Sequence, residues 1–272
     1  MRLAAHMVVR DDAYYVDMGL RSILPHIEGI YIQDQGSTDG TCAVIRELMP
    51  EFPGKIVLEV KPTGLPRFDR RYNEIEFRNA ALERTIEIYN PDFICKFDAD
   101  ELVTPLLFEQ IANCNLQGIN GICIAESRFI SKTLMSANQE IYGHFIEGDW
   151  YYGGHIFFWR VSHGTKYAQN PAFSNSFHPI LQPDPRPYIW LPGITHIHLH
   201  RTFGPKAFKF WNEGYADKGI AENPIDMVNP FNARTMASEW FNDKENLGTA
   251  IKVDFDWPDY VLKKWEAWGI WE

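Results

Sequence analysis

Ile30-Tyr31-Ile32-Gln33-Asp34-Gln35-Gly36-Ser37-Thr38-Asp39-Gly40-Thr41 reads as a strand, a tight turn and the entry to a helix. Ile30 to Ile32 is a short apolar run bounded by turn residues, which is a strand signal. Gly36 permits the turn, and Ser37, Thr38 and Asp39 are all competent helix N-caps. A helical stretch then runs from about Thr41 to Met49. A second run, Phe93-Ile94-Cys95-Lys96-Phe97, closes in the same way on Asp98-Ala99-Asp100-Glu101. An apolar run that ends in carboxylates sets them at the carboxyl edge of a strand, and that edge is where open α/β sheets bind ligands. Two such edges bring together oxygen ligands suited to a hard divalent cation.

Outward from these two units the first hundred residues keep alternating. Leu3 to Val9 is a continuous apolar run, as expected of a strand buried on both faces. Helical spacing follows from Ala13 to about Leu24. Ile56 to Val60 is a further strand, and a loop at Pro62 to Pro66 leads to a long helix over about Tyr72 to Tyr89. Strands separated by helices predict βαβ units and a mainly parallel sheet. Beyond Asp98 the pattern loosens. Gly121 to Phe129, His155 to Val161 and Ile194 to Leu199 read as strands, with loops expected at Gly148 to Gly154 and Gln169 to Pro192. Helical patterns return around Pro205 to Asp217 and over Tyr260 to Trp271.

The chain has 272 residues and a net charge of −10, and 14% of its residues are aromatic. That length suits one large domain. The acidic balance argues against nucleic acid as a partner, because phosphate backbones need a basic footprint. Cys42, Cys95, Cys114 and Cys123 show no metal-ligand spacing, and Cys95 and Cys123 lie in apolar runs, so free thiols are expected. The start of the chain lacks the apolar core of a signal peptide, and no stretch reaches the ~18 apolar residues of a membrane span. A soluble, cytoplasmic protein is the expectation.

Four features carry chemistry. Asp34 ends a strand ahead of the cap residues, where it can accept hydrogen bonds from a base or ribose; an ordinary strand–turn–helix would use the same residues. Asp98 and Asp100 lie on one side of an extended chain, and three acids within four residues repel one another unless a cation or hydrogen bonds compensate. The alternative is a solvated acidic turn. Ile75, Asn79, Leu82 and Ile86 share one stripe of the long helix. An amide on that face needs a partner, either backbone or the acidic loops, and Arg78 beside it suits phosphate or carboxylate. Thr195-His196-Ile197-His198-Leu199-His200 places three imidazoles on one strand face, a way of presenting metal ligands.

At these residues the chain resembles a family-2-type glycosyltransferase of the GT-A fold. Asp34 to Thr41 matches that family's D-x-G-S-T-D-G-T signature, and Asp98 to Glu101 matches the D-x-D-E form of its metal motif. Arg78-Asn79 resembles the R-N that precedes this motif. Val9-Arg10-Asp11-Asp12 is similar to the V-K-N-E that ends the first strand in one subgroup, with Arg, Asp and Asp in place of Lys, Asn and Glu. Lys166, Pro171 and His178 loosely resemble a K…P…H stretch, and His198 to Phe208 is similar to the subgroup's histidine followed by a helix. The match is specific over residues 3 to 105 and weak after 120.

The resemblance implies a Rossmann-like GT-A domain. Residues 1–120 would form its nucleotide-sugar-binding half, and 121–272 an irregular acceptor-binding half with C-terminal helices. The implied activity is a metal-dependent hexosyl transfer, with inversion, from a nucleoside-diphosphate sugar (a UDP-sugar first) to an acceptor hydroxyl on a glycan, a lipid-linked glycan or a small molecule. Arg10, Asp34, Arg78, Asn79 and Asp98 are the donor-binding candidates. Asp98 and Asp100, with His198 ahead of His200 and His196, are candidate ligands for Mn²⁺ or Mg²⁺. Direct displacement needs a general base. Relatives carry His-Glu where this chain reads His178-Pro179, so Asp149 and His178 are the candidates. Trp265, Trp268 and Trp271 with Lys263 and Lys264 read as core packing, or as a peripheral membrane contact. The alternative functions are a sugar nucleotidyltransferase and a catalytically silent carbohydrate-binding protein.

Overall fold

In the computed structural model the described residues are 1–65, 73–127, 134–136, 144–146, 149–151, 154–170, 179–199, 250–252 and 255–267. The alternation expected of the first hundred residues is present. β1 (Leu3–Val9), α1 (Val16–Ile23), β2 (Gly29–Asp34), α2 (Thr41–Leu48), β3 (Ile56–Val60), α3 (Glu74–Tyr89) and β4 (Phe93–Lys96) follow one another. β1 pairs in parallel with β2 and with β4, and β2 pairs in parallel with β3. The result is an α/β fold on a mainly parallel sheet flanked by helices.

The later elements are β5 (Glu101–Val103), α4 (Pro105–Asn113), β6 (Gly121–Ser127), β7 (Leu134–Ser136), β8 (His144–Ile146), β9 (Asp149–Tyr151), β10 (Gly154–Arg160), β11 (Lys166–Ala168), β12 (Ile180–Gln182), β13 (Tyr188–His198), β14 (Ala250–Lys252) and α5 (Asp259–Ala267). The large sheet runs β3-β2-β1-β4-β10-β6-β13-β5. Two expectations need correction. Gln169 to Pro192 is not one loop, because it holds β12 and the first half of β13. Gly148 to Gly154 likewise contains β9. Three-residue strands are too short to show a period, and Pro192-Gly193 reads as a break. β13 runs through it with Gly193 at φ 88°, a left-handed conformation that costs glycine little.

The chain divides into two compact units. The first comprises Met1–Ala99, Pro105–Ile124 and Ile156–Pro192. The second comprises Asp100–Thr104 together with the described residues of Ala125–His155 and of the chain from Gly193 onward. β13 thus passes from one unit to the other at its Pro-Gly step.

α3 organises one face of the first unit. Asn73 caps it, its side chain accepting the Glu76 N–H at 3.4 Å, and Glu74 and Glu76 complement the dipole in the first turn. Asn90 ends it in the left-handed region at φ 44°. Leu82 is buried against Ile94 of β4, Trp159 of β10 and Tyr167 of β11, with Ile75 and Ile86 packed beside them. Each such aliphatic side chain contributes about 1.5–3 kcal/mol on burial. The stripe expected on this helix is therefore the face that seats on the sheet.

Candidate active site

The Asp34 to Thr41 turn is held by its own side chains. The backbone N–H groups of Gly36 and Ser37 both donate to Asp34 Oδ1 at 2.9 Å, and the Ser37 hydroxyl donates to Oδ2 at 2.5 Å. Gly36 and Gly40 take φ values of 92° and 98°. Three further bonds staple the turn to the segment after β1. The Asp11 N–H donates to Ser37 Oγ, the Asp12 N–H to Thr41 Oγ1, and the Ala13 N–H to Asp39 Oδ2, at 2.8–2.9 Å. Asp11 Oδ1 in return accepts the Thr38 N–H at 2.7 Å. Burial acts to raise the Asp39 pKa, but hydrogen bonds from Thr41 and Ala13 outweigh it and leave that carboxyl below its usual range. Arg10 lies along the same edge, its guanidinium donating to Thr63 Oγ1 at 3.4 Å and to the Leu65 carbonyl at 2.7 Å.

At the end of β4, Asp98 sits between two cations. Lys96 Nζ lies 2.6 Å from its Oδ2, and both terminal nitrogens of Arg78 lie 3.4 Å from its Oδ1. Arg78 is 8% exposed and is anchored by Glu74 at 2.6 Å. Burial alone would lower its pKa, but Asp98 and Glu74 raise it, so the guanidinium stays charged. Beneath lies His6, wholly buried, with Nε2 2.9 Å from the Tyr167 hydroxyl. Burial, then the neighbouring Arg78 charge, push its pKa down to about 3, against a smaller opposing pull from Asp98. It is a neutral imidazole at physiological pH. Burial likewise raises the Tyr167 phenol well above its usual value. The Asn79 amide is spent on backbone: it donates to the Tyr167 carbonyl and accepts the Tyr167 N–H, both at 2.9 Å.

In the second unit, β13 lies antiparallel to β5 with His198 opposite Glu101 and His196 opposite Val103. His198 Nε2 is 3.4 Å from Asp100 Oδ1, and His196 Nε2 is 3.5 Å from Glu101 Oε1. The two rings are 6.3 Å apart. His196 is fully buried, whereas His198 is partly open. Among the described residues no three His, Cys, Asp or Glu side chains converge as a ready cation cage. The Asp100–His198 pair nevertheless suits two positions of an octahedral shell, where ligands about 2.1 Å from the ion stand about 3 Å apart. Magnesium-type sites commonly take one or two protein carboxylates and complete the shell with substrate phosphates and water.

His178 and His200 lie outside the described residues, as do the Asp149 side chain, Trp268 and Trp271. The helix expected at Pro205 to Asp217 lies outside them too. Trp265 is buried in α5, edge-on to Trp257 at 4.6 Å. Sequence reasoning passed over Lys96, His6, Tyr167 and Glu74. A signal was present for the first two, since each is a polar residue inside an apolar strand run. No pattern pointed to Tyr167, which a three-residue strand carries to α3. The four cysteines are free thiols, with Cys95 and Cys123 buried. Among the described residues no helix is long and apolar enough to cross a membrane.

No family model matches the chain, and no curated protein matches it. Among solved structures it is similar to S. aureus TarS 1-349 at 10% identity and TM-score 0.47, covering 90% of this chain and 74% of that one. The same TarS segment in complex with UDP gives 12% identity, TM-score 0.46 and the same coverage. Glucosyl-3-phosphoglycerate synthase from Mycobacterium tuberculosis, in complex with Mn²⁺, UDP and glucosyl-3-phosphoglycerate, gives 18% identity and TM-score 0.33. That match covers 47% of this chain and 44% of the other. At these identities and TM-scores the similarity assigns no activity, which has to come from the chain's own residues.

Proposed function

We propose that this chain is a GT-A-type glycosyltransferase that moves a hexosyl group from a nucleoside-diphosphate sugar, a UDP-sugar first, to an acceptor hydroxyl. The observation that carries the reading is the four-residue segment Asp98 to Glu101. Its first residue, Asp98, is a carboxylate clamped by Lys96 and Arg78, and its third, Asp100, is a carboxylate 3.4 Å from a histidine nitrogen. Asp98 suits hydroxyl recognition next to phosphate, and Asp100 suits a divalent cation. Asp34 is wholly buried and its carboxylate already takes Gly36, Ser37 and Cys42, so we assign it to holding the turn that would meet the base or ribose. Asp100 and His198 would hold Mn²⁺ or Mg²⁺, with His196 and His200 as further candidates. Such an ion supplies charge stabilisation for a departing diphosphate. We assign the acceptor's proton to Asp149 or His178 and read the transfer as inverting. Free thiols throughout fit a reducing compartment such as the cytoplasm.

A nucleotidyltransferase fits less well. Such an enzyme needs free backbone N–H groups after the first strand to cradle a triphosphate. Here the N–H groups of Asp11, Asp12 and Ala13 are already spent on Ser37, Thr41 and Asp39. The test is a thermal-shift panel of UDP-, GDP-, dTDP- and CMP-sugars with and without Mn²⁺ or Mg²⁺, followed by a transfer assay. One nucleotide class is expected to raise Tm by several degrees, most of it metal-dependent and lost in Asp100→Ala. A wild-type protein that responds to none of the four would end the proposal, and a full response from Asp100→Ala would end the metal assignment.

A further inference from the structure

We infer that Lys96 is a phosphate-binding residue that carries part of a nucleoside diphosphate's charge without help from a metal; this rests on the nucleotide-sugar reading above. β4 lies between β1 and β10, and its Phe93, Ile94 and Cys95 are all buried. A lysine as the next residue of such a strand brings an ammonium to the edge of a sheet interior, a position lysine rarely occupies. Its register partner on β1 is His6, so the two side chains leave the sheet on the same side. His6 is sealed beneath Tyr167 and Trp159. The Lys96 side chain is 35% exposed and reaches Asp98, which is 23% exposed, whereas Arg78 on the other oxygen of Asp98 is 10% exposed.

The cluster therefore has a closed end, made of Glu74, Arg78, His6 and Tyr167, and an open end, made of Lys96 and Asp98. The open end sets an ammonium beside a carboxylate oxygen. A ligand that satisfies both presents an anionic oxygen next to a hydroxyl, as a nucleoside diphosphate does with its phosphate and ribose. An ammonium carries three donors on a flexible stem, so it can keep Asp98 and take a phosphate oxygen together. In a protein of net charge −10 a local cation is also what lets a phosphorylated ligand approach the acidic turn. A lysine that served only as a counter-ion of Asp98 would alter folding stability without discriminating between ligands by their phosphates.

The test is calorimetric binding of uridine, UMP and UDP (with GDP, dTDP and CDP run alongside) to the full chain, in Mn²⁺ and in EDTA. Wild type is expected to retain measurable diphosphate binding in EDTA. Lys96→Met is expected to weaken diphosphate binding at least tenfold there while leaving nucleoside binding within twofold. Lys96→Arg is expected to restore most of the loss. Should Lys96→Met melt early, Lys96→Gln supplies the same comparison, with nucleoside binding as its folding control. Diphosphate affinity unchanged in Lys96→Met, or a loss equal for nucleoside and diphosphate, overturns the assignment of Lys96 and leaves the nucleotide-sugar reading standing. Wild type that binds none of the nucleotides in either buffer overturns that reading, and the inference falls with it.

Discussion

Asn79 shows what a side chain's place in a pattern can and cannot say. Its position on the apolar stripe of α3 was legible from spacing, and so was the requirement that its amide find a partner. Which partner was not. The structure supplies both halves of the Tyr167 peptide, 88 residues away. Removing the amide leaves a buried N–H and a buried carbonyl without their bonds, each worth about 1–3 kcal/mol. Asn79→Ala is therefore expected to destabilise the protein by about 2–4 kcal/mol in denaturant unfolding and to speed amide exchange in β11. A loss below about 1 kcal/mol would mean that water replaces the amide. Lys96 and His6 teach the complementary lesson. Each breaks an apolar run, and the two belong to one cluster, His6 at its buried end and Lys96 at its open end.

Among the elements, β2 and the turn after it behave as one piece. The turn's glycines, caps and acids were readable as a strand-to-helix connection. Their second use, pinning the Asp11 to Ala13 segment, depends on β1 and β2 being parallel neighbours in register, with Val9 opposite Asp34. β2 also contains a misfit. All six of its residues are buried, and neither amide atom of Gln33 has a hydrogen-bond partner among the described residues. Replacing an unsatisfied buried amide with an apolar side chain of similar size removes a desolvation cost. Gln33→Leu is expected to stabilise the fold by about 1–2 kcal/mol, read as a raised denaturant midpoint with an unchanged m-value. A lowered midpoint would show that the amide holds an ordered water or another partner in solution. Short elements were the least legible, because three residues such as Ile180–Gln182 or Lys166–Ala168 show no period.

At the scale of the whole molecule, the buried cluster sets a pH dependence. His6 has a folded pKa of about 3 against 6.5 when unfolded, through burial and the charges of Arg78 and Lys96, with Asp98 opposing and the Tyr167 hydroxyl in contact. Above about pH 6.5 the imidazole is neutral in both states and its contribution is complete. As pH falls below that value the unfolded chain takes up a proton that the fold refuses. Stability then drops by up to about 1.4 kcal/mol per pH unit until the folded pKa is reached. Between pH 6.5 and 5 the wild type is expected to lose about 2 kcal/mol that His6→Gln does not lose, measured by denaturant unfolding at constant ionic strength. Parallel curves for the two proteins would show that His6 protonates as readily in the fold as out of it. Lower in pH, Asp39 adds to the same trend, since its carboxyl is held below its usual range.

The sequence by itself determined the parallel α/β half, the two acidic edges and the seating face of α3. Each of these is written in local periodicity, turn chemistry and charge within a dozen or so residues, and the physics that produces them acts at that range. Tertiary structure alone decided what each charged group meets. The Asp98 carboxylate lies between Lys96 and Arg78, Asp100 faces His198 across an antiparallel pair, and Asp34 and Asp39 serve their own turn and its neighbour. Lys96 and the Asp34 turn are local, but Arg78, His198 and Ala13 come from other parts of the chain, His198 from scores of residues away. Strand order and register bring them together, and the cost of burying an unpaired charge selects which of them pair.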